Sequence, residues 1–316
     1  MMIKRTSRAV AVALAFLVTF LWSTSWVLIK IGLLEIPPLL FSGLRYALAF
    51  VALLLVSLLS GQAAREWKGL TRREWGRLAV LGLIFYALTQ GSSVMAQKYL
   101  PSASVSLMLN FTTPLVACLG IFWLNERLTR RQWLGITIFL AGVLLYFLPL
   151  ETHSALPLGW AAAGMAVGGN TLAAVLGRSV NREQRLSPLS VTTLSMGVGA
   201  LALLAAGAAW ETLPVIRWQN WVMIAWLALV NSALAFTLWN HTQRHLGAAE
   251  SSLINNTMLI QITLLTWLFL GEAVTTKEAL GLGLAVLGMV VMQARVARRL
   301  ESPAPLVDVK EEGGGL

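Results

Sequence analysis

Apolar residues in this chain fall into ten runs, which are separated by short polar loops. A helix of about 20 residues crosses the ~30 Å hydrocarbon core of a bilayer, so each run predicts one transmembrane helix. We therefore predict an all-α integral membrane protein with ten transmembrane helices, called spans 1 to 10 in chain order. The predicted spans are residues 9–30, 37–59, 75–97, 101–124, 132–150, 156–178, 187–210, 218–241, 247–270 and 277–295.

The chain also contains an internal repeat. Residues 75–146 recur at residues 221–292 with a constant offset of 146 and no gap, and at an offset nearer 150 the first two spans of each half align. Because each half has five spans, an odd number, the second copy must lie upside down in the membrane. Two inverted five-helix repeats are typical of secondary transporters. The matched pairs include Trp75 with Trp221, Gln97 with Gln243, Asn110 with Asn256, Glu126 with Glu272, Thr129 with Thr275, Gly135 with Gly281, Gly142 with Gly288 and Pro38 with Pro188.

This repeat divides the chain into four predicted segments. Residues 1–8 form a cytoplasmic N-terminal arm, residues 9–150 form repeat 1 with spans 1–5, and residues 151–298 form repeat 2 with spans 6–10. Residues 299–316 are polar and rich in Pro and Gly, so we expect a disordered cytoplasmic tail.

Composition supports a membrane protein, and the charge distribution predicts its orientation. Hydrophobic residues make up 57% of the chain and charged residues 12%, at a net charge of +10. With the N-terminus inside, 19 Lys and Arg lie on the cytoplasmic side and four lie outside, which is a strong positive-inside pattern. The basic charge therefore indicates orientation and not a nucleic-acid partner. We predict a multi-pass protein of the bacterial inner (plasma) membrane with both termini cytoplasmic and the lipid bilayer as its surroundings.

Several short motifs together resemble the EamA family of the drug/metabolite transporter superfamily, over about residues 9–295. That resemblance implies ten spans, cytoplasmic termini, a central cavity between the halves, and transport of small organic solutes, frequently the export of amino acids or related metabolites. One departure is Ile260, which stands where repeat 1 has Pro114, so span 9 is expected to be straighter than span 4. The motifs are WSTSW at 22–26, Lys30, GLRYA at 43–47, NERLT at 125–129, GEAVT at 271–275 and LWN at 238–240.

Polar and aromatic side chains recur at similar depth on several spans and are candidates for a shared substrate pocket. Tyr86 and Gln90, four residues apart, are expected to share one face of span 3. Amide and hydroxyl groups also join membrane helices to each other, so a packing role remains open for each one. The candidate substrate-binding residues are Trp22, Trp26, Arg45, Tyr86, Gln90, Asn110, Asn170, Asn231, Trp239 and Asn256.

Arg45 is the basic residue that falls well inside a span, about 12 Å from the outer end of span 2 at 1.5 Å per residue. A charge at such a depth costs at least ~2.5 kcal/mol unless it is paired or faces water. Its guanidinium group would suit a substrate carboxylate. The alternatives are that the side chain extends to the outer interface, or that it ties span 2 to a neighbouring helix.

Pro114 lies near the middle of span 4 and is a candidate hinge. A proline there lacks an amide donor, and its ring clashes with the carbonyl of Asn110, so span 4 should bend and leave that carbonyl free as an acceptor. Asn256 holds the equivalent position in span 9. Both asparagines could equally bridge helices.

Acidic residues offer little support for proton coupling inside the membrane. Glu126 and Glu272 precede Thr129-Gln132 and Thr275-Glu278, which have capping-box spacing, so a structural role in the turns is the stronger reading. Glu250, at the start of span 9, and the nearby His241 are the remaining candidates for proton coupling. The alternative for Glu250 is an acidic residue that the helix dipole favours in a first turn.

The sequence has no P-loop and no His-Glu-x-x-His motif, so it predicts neither an enzyme, nor a cofactor, nor a metal site. We predict a secondary transporter or facilitator of a small-molecule substrate, an exporter of amino acids or related amphipathic solutes that works by alternating access. The alternative is a lipid or lipid-linked-sugar translocase, which should open sideways and carry a basic cluster for headgroups. The oligomeric state and the direction of transport stay open.

Overall fold

The computed structural model describes residues 8–61, 65–124, 129–148, 157–182, 186–242, 245–246 and 248–293. A helix lies on each of the ten predicted runs, and no strand occurs in these ranges. Within the described residues, seven helices are long and apolar enough to cross a membrane. The helices are α1 (Arg8–Gly32), α2 (Pro38–Leu59), α3 (Arg72–Tyr99), α4 (Ser102–Leu109 with Thr112–Leu124), α5 (Arg130–Phe147), α6 (Pro157–Arg182), α7 (Pro188–Trp210), α8 (Trp218–Ala228, Leu229–Leu234 and Ala235–Thr242), α9 (Ala248–Leu270) and α10 (Thr276–Gln293).

The two repeats meet where α5 crosses α10, and glycines allow the backbones to touch there. A Cβ added to Gly135 would lie 2.7 Å from the Gly288 carbonyl oxygen, and one added to Gly142 would lie 2.6 Å from that of Gly281. Gly135 is the repeat mate of Gly281 and Gly142 that of Gly288, so both contacts are the same contact seen from opposite halves. Residue numbers rise along α5 where they fall along α10, so these two helices are antiparallel. Inverted repeats require this arrangement.

The second helix of each half, α2 or α7, also packs against its repeat mate, and each half caps the other's helix. Glu211 accepts hydrogen bonds from the amides of Leu39 and Leu40, at 3.0 and 2.8 Å, at the start of α2. Glu66 accepts from the Ser187 amide at 3.0 Å and from its hydroxyl at 2.9 Å, at the start of α7. A carboxylate is favourable at a helix N-terminus because free amides and the helix dipole both attract it.

The predicted capping boxes are confirmed at the starts of α5 and α10. Thr129 pairs reciprocally with Gln132, and Thr275 with Glu278. Glu272 accepts a hydrogen bond from the Ser102 amide at 2.9 Å, so it caps α4 of the other half. This contact supports the structural reading of Glu272, whereas Glu126 lies outside the described residues.

The predicted contrast between spans 4 and 9 is present in the structure, but the expected free carbonyl is not. Helix α4 is interrupted at Asn110 and Phe111, whereas α9 is continuous. The Asn110 carbonyl accepts a hydrogen bond from the Thr113 amide at 3.2 Å, so the expectation that it would be a free acceptor is wrong. A tighter turn before Pro114 satisfies this carbonyl locally, as often happens at helix ends.

Two π-helical segments were not predicted from the sequence. One covers Leu83–Gln90 in α3 and the other Leu229–Leu234 in α8, and both begin at the same repeat position. Hydrogen bonds between residues i and i+5 widen the helix, so residues five apart, which lie on different faces of an α-helix, come closer to one face. This change in periodicity determines which side chains of α3 and α8 face the space between the halves.

Candidate functional site

A cavity of about 470 Å³ lies between the two halves. Helices α1 to α4 of the first half and α6, α8 and α9 of the second contribute its wall. Its volume is within the range of pockets that hold small organic ligands. The structure brings eight predicted site residues to this wall: Trp22, Trp26, Arg45, Gln90, Asn110, Asn170, Asn231 and Asn256. Their role in substrate binding stays a prediction.

The structure does not bring Tyr86 or Trp239 to the wall. Tyr86 is buried and packs edge-on against Tyr46 and Phe85, with ring centroids 5.2 and 4.9 Å apart. Its predicted pairing with Gln90 assumed a spacing of four residues, as in an α-helix. The π-helical turn instead directs Phe85 and Gln90, five residues apart, to the cavity.

Trp239 lies behind the wall for a simpler reason. Its ring centroid is 5.3 Å from that of Trp22, and it packs against a small buried cluster at the start of α1 that includes Ala11 and Ala15. Trp22 therefore stands between Trp239 and the cavity.

Arg45 is buried on the cavity wall, with 8% of its surface exposed. Its Nε and Nη2 both lie 3.3 Å from Ser232 Oγ, and its Cζ lies 5.3 Å from the centre of the Tyr46 ring. Ser232 donates its own proton to the Leu227 carbonyl, which leaves the hydroxyl oxygen free to accept from Arg45. Within the described ranges no carboxylate forms an ion pair with Arg45.

Asn231 joins α8 to α1 from a fully buried position. Its Nδ2 donates to the Leu21 carbonyl and to Thr24 Oγ1, the latter at 3.2 Å. Its backbone carbonyl accepts from Trp22 Nε1 at 3.1 Å. The bridging role that the sequence left open is therefore present in the structure, yet of the side-chain amide it uses only the nitrogen.

The other three asparagines that were predicted for the site differ in how far they are committed to helix contacts. Asn110 Nδ2 donates to the Ser106 carbonyl at 2.8 Å within its own helix. Asn170 Nδ2 donates to Thr112 Oγ1 at 3.1 Å and so links α6 to the second part of α4. Asn256 is buried, with 6% of its surface exposed. All three contribute polar surface to the wall.

The two residues predicted for proton coupling lie elsewhere. Glu250 forms an ion pair with Arg8, which ties the start of α9 to the start of α1. The His241 ring packs against that of His245, with centroids 5.0 Å apart. Neither Glu250 nor His241 belongs to the residues that line the cavity. Their role in coupling stays a prediction.

Sequence reasoning missed sixteen residues of the wall. Gln97 carried a usable signal, since it matches Gln243 in the repeat, and Asn255 adjoins a candidate residue. The apolar members carried none, because the sequence does not distinguish apolar residues that line a cavity from those that pack between helices. The missed residues are Ser25, Ile29, Tyr46, Phe85, Ser93, Val94, Gln97, Ser106, Leu109, Thr112, Thr113, Phe236, Asn255, Met258, Leu259 and Ile262.

Comparisons with known proteins agree with this architecture. The model of the EamA-like transporter family matches residues 9–148 and 160–293. The uncharacterized transporter YoaV of Bacillus subtilis (strain 168) is 24% identical, over 89% of this chain and 96% of its own. An S-adenosylmethionine/S-adenosylhomocysteine transporter of Chlamydia trachomatis serovar L2 is 26% identical, over 88% and 87% respectively.

A similar arrangement of helices has been seen by crystallography. A crystal structure with 21% sequence identity superposes with a TM-score of 0.66 and covers 94% of this chain and 100% of its own, so the two share a fold. The uncharacterized inner membrane transporter YedA of Escherichia coli (strain K12) is 24% identical over 88% of each chain. Both matches of the family model together span nearly all ten helices. The chain therefore belongs to the EamA-like transporter family and is a membrane transporter, not an enzyme.

Proposed function

We propose that the protein is a secondary transporter or facilitator that exports a small amphipathic metabolite with a carboxylate group, amino acids being the leading substrate class. The observation that carries this proposal is the position of Arg45 on the wall of a cavity between two inverted halves. Inverted repeats support alternating access, because exchanging the conformations of the halves opens the same cavity to the other side.

The contacts of Arg45 support a substrate that carries a carboxylate group. A charge inside the membrane region costs several kcal/mol unless a partner or water compensates it. Ser232 contacts Nε and Nη2 but is a neutral partner, so it fixes the guanidinium group without cancelling its charge. A substrate carboxylate would supply that charge and could accept two parallel hydrogen bonds.

Aromatic rings on the same wall support an apolar portion of the substrate. Trp22 and Phe236 lie with ring centroids 5.3 Å apart, and Trp26 and Phe85 also line the cavity. Flat rings bury a large apolar area while the wall's amide groups retain polar contacts. The chlamydial relative is consistent with this class, because S-adenosylmethionine itself carries an amino-acid group next to a larger ring system.

The direction of transport and its coupling are inferred from sequence features outside the cavity. The positive-inside pattern predicts that both termini are cytoplasmic, and the family resemblance favours export. Proton exchange would require a titrating group such as Glu250 or His241, whereas a facilitator requires none. A lipid substrate is less well supported, because Arg45 is the one Lys or Arg on the cavity wall within the described residues.

The test compares Arg45 variants in proteoliposomes with a panel of radiolabelled amino acids and their amidated analogues. We expect Arg45→Lys to slow transport, because a point charge cannot reproduce the guanidinium fork, and Arg45→Gln to lose more. The amidated analogue should be carried about equally by wild type and Arg45→Gln. Arg217→Gln is the matched control, since Arg217 pairs with Glu35 away from the cavity.

Two results would contradict the proposal. Equal losses for charged and amidated substrates, together with a lower melting temperature, would make Arg45 a structural tie between α2 and α8. A wild-type protein that moves fluorescent lipid but none of the amino acids would favour the lipid alternative.

A further inference from the structure

The cavity wall holds a buried hydrogen-bond acceptor for which the described part of the chain offers no partner. Within the described residues, Asn231 Oδ1 has no hydrogen-bond partner, although Asn231 is fully buried. Most buried side-chain oxygens in proteins accept at least one hydrogen bond, and leaving one unpaired is costly. Because Asn231 lines the cavity, a ligand's donor group that reaches this oxygen would be stabilised.

The orientation of this amide follows from its neighbours. Nδ2 faces the Leu21 carbonyl, which can only accept, and Thr24 Oγ1, whose own proton goes to that same carbonyl at 2.7 Å. Exchanging the nitrogen and oxygen of Asn231 would bring two acceptors together. The oxygen is thus the branch of the amide that is directed away from α1.

The acceptor oxygen belongs to the residue next to the one that holds the Arg45 guanidinium group. Asn231 and Ser232 are consecutive in the π-helical segment of α8, and Ser232 holds Arg45. The same turn of α8 therefore carries the Asn231 acceptor and holds the guanidinium group of Arg45, which is a donor. An α-amino acid has the complementary arrangement, since one carbon carries both its ammonium and its carboxylate group.

We propose that Asn231 Oδ1 accepts a hydrogen bond from the substrate's ammonium group while Arg45 binds its carboxylate, so that the cavity selects zwitterions. This inference rests on the proposed function and adds the substrate specificity of the cavity. Carboxylic acids without an amino group would leave Asn231 unpaired, and amines without a carboxylate would leave Arg45 unpaired. Sites that hydrogen-bond a substrate group reject analogues that lack it far better than apolar pockets reject a missing methylene.

The test measures transport of phenylalanine against 3-phenylpropanoate and phenethylamine in proteoliposomes. Wild type should prefer phenylalanine over both analogues. In Asn231→Leu the preference over 3-phenylpropanoate should fall roughly 10- to 100-fold, the range for one hydrogen bond to a charged group, while the preference over phenethylamine remains. If Asn231→Leu does not fold, Asn231→Ala removes the same oxygen with less added bulk.

Thr24→Val is the matched control. It removes one acceptor of the Asn231 amide nitrogen and weakens the tie to α1, but it leaves Oδ1 in place. The ratio of phenylalanine to 3-phenylpropanoate should therefore stay at the wild-type value even if both rates fall. A ratio that falls equally in Thr24→Val and Asn231→Leu would make the effect structural and overturn the inference.

Gln97 provides the competing assignment, because its Oε1 is also buried on the wall without a partner in the described part of the chain. If Gln97→Met lowers the phenylalanine ratio and Asn231→Leu does not, the ammonium site is not Asn231. The proposed function fails separately, if wild type carries none of the three compounds or other amino acids. An unchanged ratio in Asn231→Leu, with wild type active and selective, overturns the inference alone.

Discussion

Replacing Gly281 with Ala tests the close crossing of α5 and α10. The new Cβ would lie 2.7 Å from the Tyr146 amide nitrogen and 2.8 Å from the Gly142 carbonyl oxygen, whereas ordinary contacts begin at 3.4 Å. Both atoms belong to the backbone, so no side chain can rotate aside and the helices must separate. Overpacking of this kind costs about 1–3 kcal/mol.

Gly283 lies on the same helix and provides the control. A Cβ there has no atom within 4 Å, so Gly283→Ala changes only helix propensity, which favours Ala by up to about 1 kcal/mol. We therefore expect Gly281→Ala to melt roughly 2–12 °C below Gly283→Ala, since each kcal/mol shifts Tm by about 2–4 °C in domains of 150–250 residues. The assay is thermal unfolding of the detergent-solubilised protein.

The repeat adds a second requirement. Gly135 is the mate of Gly281, and a Cβ on Gly135 would lie 2.6 Å from the Met292 amide nitrogen, so Gly135→Ala should lower Tm by a similar amount. Equal melting temperatures for Gly281→Ala and Gly283→Ala would refute the close crossing. A large effect at Gly281 with none at Gly135 would refute its two-fold symmetry.

Two further predictions concern topology and conformational change. Cysteines at Leu34 and Val215, which are 83% and 96% exposed, should react with an impermeant reagent from the periplasm, and cysteines at Gln62 and Arg182 only after permeabilisation; the reverse pattern would contradict the predicted orientation. Replacing Pro114 with Ala should make α4 more continuous and slow exchange between open states without unfolding the protein, as measured by counterflow rates alongside Tm; unchanged rates would argue against a hinge at this position.

The positions of the helices were accessible from sequence because membrane helices must be apolar over a length set by the bilayer. The side of a helix on which an individual residue faces the cavity was harder to predict from sequence. Tyr86 was placed on the cavity face by a spacing of four residues, and a π-helical turn moved that face to Phe85. Nothing in the local sequence around Leu83–Gln90 marks this turn. The turn lies where α3 packs closely against α7 and α6, and these contacts come from distant parts of the chain. A Cβ on Gly199 of α7, for example, would lie 2.6 Å from the Gly82 carbonyl oxygen.

Long-range caps were equally inaccessible from sequence. Glu66 lies between spans 2 and 3, and Glu211 lies between spans 7 and 8. The sequence around neither residue indicates a partner, yet each carboxylate caps a helix of the other half. Such pairs are fixed by tertiary packing and not by spacing along the chain. Only the capping boxes, whose two members are three residues apart, could be identified in advance.

The scaffold of this protein is nearly symmetric, but its cavity is not. The glycine crossing and the π-helical segments recur in both halves, so exchanging the conformations of the halves would preserve most contacts. The side chains that α3 and α8 present to the cavity are reversed: Phe85 and Gln90 of α3 occupy the repeat positions of Asn231 and Phe236 of α8. Each of these two helices thus gives the cavity one ring and one amide, in opposite order.

Arg45 extends this asymmetry, because its repeat mate is Ser195, whose hydroxyl donates to the Val191 carbonyl within α7. A symmetric frame allows two open states of similar free energy, which alternating access requires. A symmetric cavity would also let a substrate bind in two equivalent orientations. For the proposed zwitterionic substrate, Arg45 as the one cation on the described part of the wall, together with the reversed amides, favours a single binding orientation.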